Sequence, residues 1–550
     1  MKRNLFHLVA FCLLFTNLIN AQSHPQIPVL PNERPNLINP VFGKDIVINF
    51  QPSENQQAAA ICSAPNGWLY AAYSHNAPDD YHTLTIMKSE DNGINWSVLF
   101  QGDVGLWWSI VSKIELVAGG TDESNYKVWF AYIMHDTIQD IYLPGVSRIN
   151  GITGVLEAGM YNDDFNKYSD ISLATDMGFP SQGADPFSIA FLYSKSDSYY
   201  FDTLYLLTSS NGGLSFDAVQ VVDAVGYPGS TTIRDVDLSY GYSPSNSTGG
   251  YYAVWEREDK LNTDIHRIYS AHTVSGFNGP LTPPVRLDTI DPTYADHSTN
   301  PVIACQSGNN DNDSMNITSV VLFEQFVPVQ NSNKISGCFN LQAASTSYFQ
   351  PFSVSSLTDN LIEPDICYNP YNNNFLATYF DSESKSLPVV SQQMNFQAPS
   401  TWNVITGKYN EETTLSAPMP KISISHSEEC AINVWISEIY PEYGSVLFDS
   451  QNSTYTGNMD QDPSIFTPSF QFFPNPCDDI LTVRAKSDRT IMISVTLMDI
   501  SGKQISLMEN HPISTGVSDI KVDLSIFHPG SYLLRVQGVD FSDSQIIIRR

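Results

Sequence analysis

Positive charge is scarce in this 550-residue chain: 27 lysines and arginines stand against 58 aspartates and glutamates, a formal net charge of −31. Phosphate backbones are held by clustered basic side chains, so this balance excludes nucleic acid read through a basic surface. Cysteine is sparse too. Cys12 lies in an N-terminal apolar run, and Cys62, Cys305, Cys338, Cys367, Cys430 and Cys477 are widely separated. That spacing excludes the paired ligands of a zinc site. An even six permits disulfides in an exported chain, and isolated buried thiols suit it equally. The histidines, among them His75, His82, His135, His272 and His297, show no metal-ligand spacing, so no metal is expected from them. Beyond the first residues no apolar run is long enough for a membrane-spanning helix.

What the chain does have is aromatics (12%), 31 glycines and 33 prolines, a mixture that suits an all-β protein rich in turns. Its first residues, "MKRNLFHLVAFCLLFTNLINAQS", carry Lys2 and Arg3, then an apolar stretch, then "INA". This order reads as a signal peptide over 1–21, cleaved between Ala21 and Gln22.

Between about residues 55 and 450 the chain repeats itself at a spacing of roughly 50 residues, a propeller-like period. Apolar runs such as "GWLYAAYS", "YKVWFAYI", "FSIAFLYS" and "TSVVLFEQ" each follow a first strand such as "SKIELVAG", "SDISLATD" or "RDVDLSYG". A lone four-stranded sheet leaves both faces apolar, and packing sheets around an axis covers them. The expectation is a β-propeller over 22–455, of seven blades or six, with "DIVINF" (45–50) as a lead strand. After a linker at 456–468, alternating strands over 469–550 suggest a small Ig-like β-sandwich.

"SEDNGINW" places Ser89, Asp91, Gly93 and Trp96 at the spacing of a tied hairpin turn, and "SSNGGLSF" repeats it with Ser209, Asn211, Gly213 and Phe216. Ser and Asp bond free turn amides, Gly accepts a positive φ, and the aromatic covers the turn. The pattern resembles the Asp-box (BNR repeat) of sialidase-like β-propellers. That resemblance implies a structural role, away from the central pocket. The C-terminal segment resembles the type IX secretion sorting domain of Bacteroidetes. The resemblance rests on "FFPNPCDDILTV", with Phe473, Pro474, Asn475 and Pro476, and on "HPGSYLLRV", with Gly530 and Tyr532. It implies the type IX machinery as a partner and secretion or display at the outer-membrane surface.

Sialidases hold the substrate carboxylate with three arginines. Between 22 and 455 the chain has only Arg34, Arg148, Arg234, Arg257, Arg267 and Arg286, four of them crowded between 234 and 286. Sialidase activity is therefore not expected. Glu256, Glu258, Asp259, Glu324 and Asp381 end central strands, where they can reach the axial mouth. Trp107, Trp108, Tyr199 and Tyr200 offer sugar-stacking surfaces. No cofactor is expected, although Asp311 and Asp313 sit in an oxygen-rich loop that would suit calcium. Two functions follow. The leading one is a non-catalytic, adhesive module that binds glycan or surface protein; the other is a glycoside hydrolase or lyase acting on extracellular polysaccharide. An aromatic, carboxylate-poor axial face favours the first, and carboxylates converging on one axial pocket favour the second.

Overall fold

A computed structural model describes the strands and tight turns between residues 45 and 550. Residues 1–44, 452–468 and many of the longer connections lie outside the described residues. With them lie the signal segment with Ala21 and Gln22, Arg34, Trp107, Trp108, Tyr199, Tyr200, Asp311, Asp313, and Pro474 to Pro476. The chain divides into two units, Met1–Thr454 and Tyr455–Arg550. Every regular element among the described residues is a strand.

In the first unit the strands form seven four-stranded antiparallel sheets. Six are built from consecutive strands. The seventh takes its fourth strand from the other end of the unit: Ile46 pairs with Phe448 and Val47 with Leu447. The first, inner strands are Asn55–Ser63, Ser109–Gly119, Lys167–Thr175, Thr231–Ser243, Ser298–Cys305, Leu361–Asn369 and Lys421–Ser425. The second strands are apolar on both faces because neighbouring sheets cover both. Ile189 to Ser194 are all buried, as are Ala431 to Ser437. Cores therefore form between sheets: Phe100 of the first lies 5.5 Å from Phe130 of the second, ring to ring. This is a β-propeller.

Each inner strand has a ladder partner on one edge only. The other edge faces the axis, and its amides need acceptors. Side chains of the preceding sheet supply them. Val236 N–H donates to Asp170 Oδ2 at 2.6 Å and Leu238 N–H to Ser172 Oγ at 3.1 Å. Ile303 N–H donates to Asp237 at 2.8 Å, Cys305 N–H to Ser239 at 3.0 Å, and Ile422 N–H to Asp365 at 2.7 Å. The last sheet meets the first where His426 N–H donates to Ser63 Oγ at 3.3 Å.

The two glycine turns tie off outer hairpins. Ser89 Oγ accepts from Gly93 N–H (2.8 Å) and donates to Asp91, which accepts from Asn95 N–H (2.8 Å). Trp96 is buried, donates to Gly93 O, and packs edge-on against Phe448 of the seventh sheet. Ser209 and Asn211 make the same bonds to Gly213 N–H (2.9 Å) and Ser215 N–H (3.0 Å), and Phe216 packs on the neighbouring core. All six cysteines of the described residues are free thiols, five of them buried.

In the second unit, Ser469–Phe473, Ile480–Ser487 and Gly516–Asp523 form one sheet. Ile491–Met498, Gln504–Ile513, Gly530–Gln537 and Ser542–Arg549 form the other. Leu481 and Val483 from the first share a core with Val495, Leu534 and Ile547 from the second. Phe473 lies under the Arg484 guanidinium, and Tyr532 Oη donates to His528 O at 2.7 Å.

Gly93 has φ +89°, and a Cβ there would fall 2.1 Å from a Phe448 ring carbon. Gly93→Ala is expected to destabilise the propeller by about 1–3 kcal/mol through backbone strain, before the clash is counted. Asp91→Ala should cost about 1 kcal/mol, the scale of one net hydrogen bond. Denaturant unfolding measures both; an unchanged midpoint for Gly93→Ala would show that this turn does not hold the two sheets together.

Candidate functional site

The inner strands enter the axis through bulges. Register slips occur at the start of six of them, between Gln56 and Ala58, Val111 and Lys113, Tyr168 and Asp170, Arg234 and Asp237, Thr299 and Val302, and Ile362 and Asp365. In four successive sheets the entering residue is left-handed though not glycine: Asp235 (φ 42°), Asn300 (49°), Glu363 (54°) and Met419 (43°). Such bulges re-aim side chains. Here they turn them into a cavity of about 320 Å³ at one end of the axis, lined by Lys113, Glu115, Asp170, Asp235, Asp237, Asn300, Glu363 and Lys421. Glu115, Asp237 and Lys421 also line a second cavity of about 260 Å³ towards the other end, with Cys62, Cys305, Cys367, Tyr368 and His426. Burial drives the His426 imidazole down to about 4.

Five carboxyl groups against two lysines make the first cavity acidic. Lys113 Nζ lies 2.7 Å from Asp170 and 3.7 Å from Glu115; Lys421 Nζ lies 3.6 Å from Asp365 of the preceding inner strand. Asp170 is fixed further by Val236 N–H. Burial raises the Glu115 carboxyl against the pull of Lys421 and Lys113, and burial likewise raises Asp237, Glu363 and Asp365. Asp235 is pushed well up, by burial first and then by the charges of Asp170 and Glu256, to whose carboxylate it is hydrogen-bonded.

Behind this rim stand two carboxylates at the ends of second strands. Glu256 is 1% exposed, bonds His266 Nδ1 at 2.6 Å and accepts from Asn300 N–H at 3.4 Å. Glu324 accepts from Asn300 Nδ2 (2.5 Å) and Glu363 N–H (2.8 Å), and burial raises it. Both therefore hold the bulged residues in place.

The other strand-end acids are engaged elsewhere. Glu258 pairs with Arg234 and Thr232, and Asp381 caps its own turn through Glu383 and Ser384 N–H. Among the described residues no arginine lines either axial cavity. Arg148 pairs with Glu157, Arg257 holds Asp223 with two nitrogens, and Arg286 pairs with Asp288. Lys113, Glu115, Asp170, Asp235, Asp237, Glu363, Asp365 and Lys421 escaped the sequence reading as site residues. Their signal was present: charged residues inside otherwise apolar first strands. No aromatic side chain lines the acidic cavity among the described residues. No set of three or more His, Cys, Asp or Glu side chains among them is arranged for a metal ion.

A family model, the secretion system C-terminal sorting domain, matches residues 471–549. The second unit is thus an export signal handled by the type IX machinery, and it implies secretion and attachment at the cell surface. No helix among the described residues is long and apolar enough to cross a membrane. No curated protein matches the chain. Among solved structures, an α-L-arabinofuranosidase from Fusarium graminearum aligns at 10% identity and TM-score 0.41, over 74% of this chain and 97% of that one. The α-L-arabinanase of Penicillium chrysogenum aligns at 13% and 0.41, over 75% and 99%. An endo-arabinase from Bacteroides thetaiotaomicron aligns at 11% and 0.29, over 67% and 99%.

The raised carboxyls fix the sign of a pH effect. Each binds its proton more tightly in the folded chain than in the unfolded one. Stability therefore increases as pH falls through the raised values, and the gain is complete below the unfolded carboxyl range, about 4. Burial pulls Lys113 and Lys421 down but their acidic neighbours raise them overall. Their contribution is present throughout that window and is lost only above about pH 10. The propeller's thermal midpoint is expected to rise from pH 8 to pH 5, and Glu115→Gln to flatten the rise. A midpoint that falls steadily over that range would contradict this electrostatic picture.

Proposed function

We propose that this exported protein is a glycoside hydrolase acting on a neutral extracellular polysaccharide, with its active site at the acidic end of the propeller axis. The observation that carries this reading is the convergence of Asp235, a carboxyl whose pKa burial and neighbouring charge push well up, with Asp170, ion-paired to Lys113, on one cavity free of aromatic side chains among the described residues. Glycoside hydrolysis needs that pairing: one carboxylic acid to protonate the leaving oxygen, and one carboxylate to face the anomeric carbon or activate water. Asp235 takes the first role and Asp170 the second. The excess of negative charge, and the absence of arginine at the cavity among the described residues, disfavour uronates and sialic acid, whose carboxylates would go unpaired. Neutral hydroxyls suit the acceptor-rich wall.

The rest of the reading follows from the same chain. Residues 1–21 act as a signal peptide, the seven sheets are blades of a sialidase-like propeller whose glycine turns are Asp-boxes, and the tail is Ig-like. The adhesive reading drew support from Trp107, Trp108, Tyr199 and Tyr200, none of them among the described residues.

Incubation of the full secreted protein with a panel of neutral polysaccharides, with a fluorogenic sialoside as control, tests the proposal. At least one neutral polymer should be shortened, the sialoside should be untouched, and Asp235→Asn should lower turnover by about 10²–10⁴-fold, the usual contribution of a general acid. Polymers retained on the protein but never shortened would replace hydrolysis with binding.

A further inference from the structure

The seam where the first strand joins the last sheet holds a row of polar side chains buried between sheets. Asn433 lies directly across from Asp449 on the neighbouring strand. The register of the next pair, Ile46 to Phe448 and Val47 to Leu447, runs Asp45 alongside Asp449. Directly opposed residues of antiparallel strands share a face, with Cα atoms about 4.5–5.5 Å apart. Three adjacent strands therefore present an amide and two carboxylates side by side, and these residues are 0%, 1% and 1% exposed. The neighbouring row on that face, Trp435, Leu447 and Val47, packs on Tyr409, which follows the last strand of the sixth sheet, with Tyr409 edge-on to Trp435 at 5.1 Å. Beyond burial, the charges of Asp449, Asp365 and Asp45 raise the Tyr409 phenol.

Neither the amide oxygen nor the amide nitrogen of Asn433 has a hydrogen-bond partner, and neither does Trp435 Nε1. Other buried tryptophans are satisfied: Trp96 donates to Gly93 O, Trp129 to Gly212 O and Trp255 to Asp223, all within 2.9 Å. A fully buried amide with both ends open, next to two carboxylates, calls for a guest that accepts oxygen ligands and brings water. We propose that a hard cation of the calcium class, with coordinated water, occupies this seam. Its ligands are the Asp45 and Asp449 carboxylates and the Asn433 amide oxygen, and Trp435 Nε1 donates to a coordinated water. The ion would clamp the N-terminal strand to the last sheet and so lock the ring.

Terbium, which replaces calcium and is excited through nearby indole, is the probe. Added to the full chelator-treated protein, it should give tryptophan-sensitised emission that calcium reverses, and calcium should raise the propeller's thermal midpoint. Both effects should disappear in Asp449→Asn and persist in Glu115→Gln. Should Asp449→Asn fail to fold, Trp435→Phe provides the second arm: calcium binding by calorimetry kept, sensitised emission strongly reduced. No bound terbium and no calcium-dependent midpoint would leave water alone in the seam and overturn the proposal. Emission lost in Glu115→Gln but kept in Asp449→Asn would move the cation to the axis and overturn it equally.

Discussion

A propeller has to satisfy the inner edge of every sheet. The inner strand ends each ladder, and its free amides face the axis without a partner strand. In this chain the neighbouring sheet answers with side-chain oxygens. Asp170, Ser172, Asp237, Ser239 and Asp365 each accept an amide of the following inner strand. Those bonds hold successive sheets together where their backbones converge.

The same bonds create the chemistry. Using carboxylates as acceptors loads the axis with negative charge, and burial then raises what it cannot neutralise. Lys113 and Lys421 offset part of the load from two inner strands, each beside an aspartate. Asp235 is buried where Asp170 and Glu256 both repel a further charge, and its pKa is pushed well up. The left-handed residues of the two following bulges, Asn300 and Glu363, are held by their amides, which donate to Glu256 and Glu324. A carboxyl with a strongly raised pKa thus arises from the need to close a ring of sheets.

Much of this was legible in the sequence, and the rest was hidden for physical reasons. The second-strand runs announced sheets covered on both faces, because burial on both sides erases the alternation of a half-exposed strand. Ser89, Asp91, Gly93 and Trp96 disclosed a turn because each residue type does one local thing at a fixed offset. Glu256 and Glu324 were picked out as strand ends, and they do flank the acidic cavity. Lys113, Glu115, Asp170 and Asp235 were passed over, though they interrupt apolar first strands. Their direction depends on a bulge of one extra residue, and a one-residue slip exchanges the two faces of a strand. No local pattern fixes that slip. Only the closed ring does.

The protonation of Asp235 is the point on which the functional reading turns, and infrared difference spectroscopy sees it directly. The full-length protein and its Asp235→Asn variant, compared at neutral pH, should differ by one protonated-carboxyl stretching band, present in the parent and missing in the variant. A parent spectrum in which every carboxyl is ionised at that pH would contradict the assignment of Asp235 as the acid.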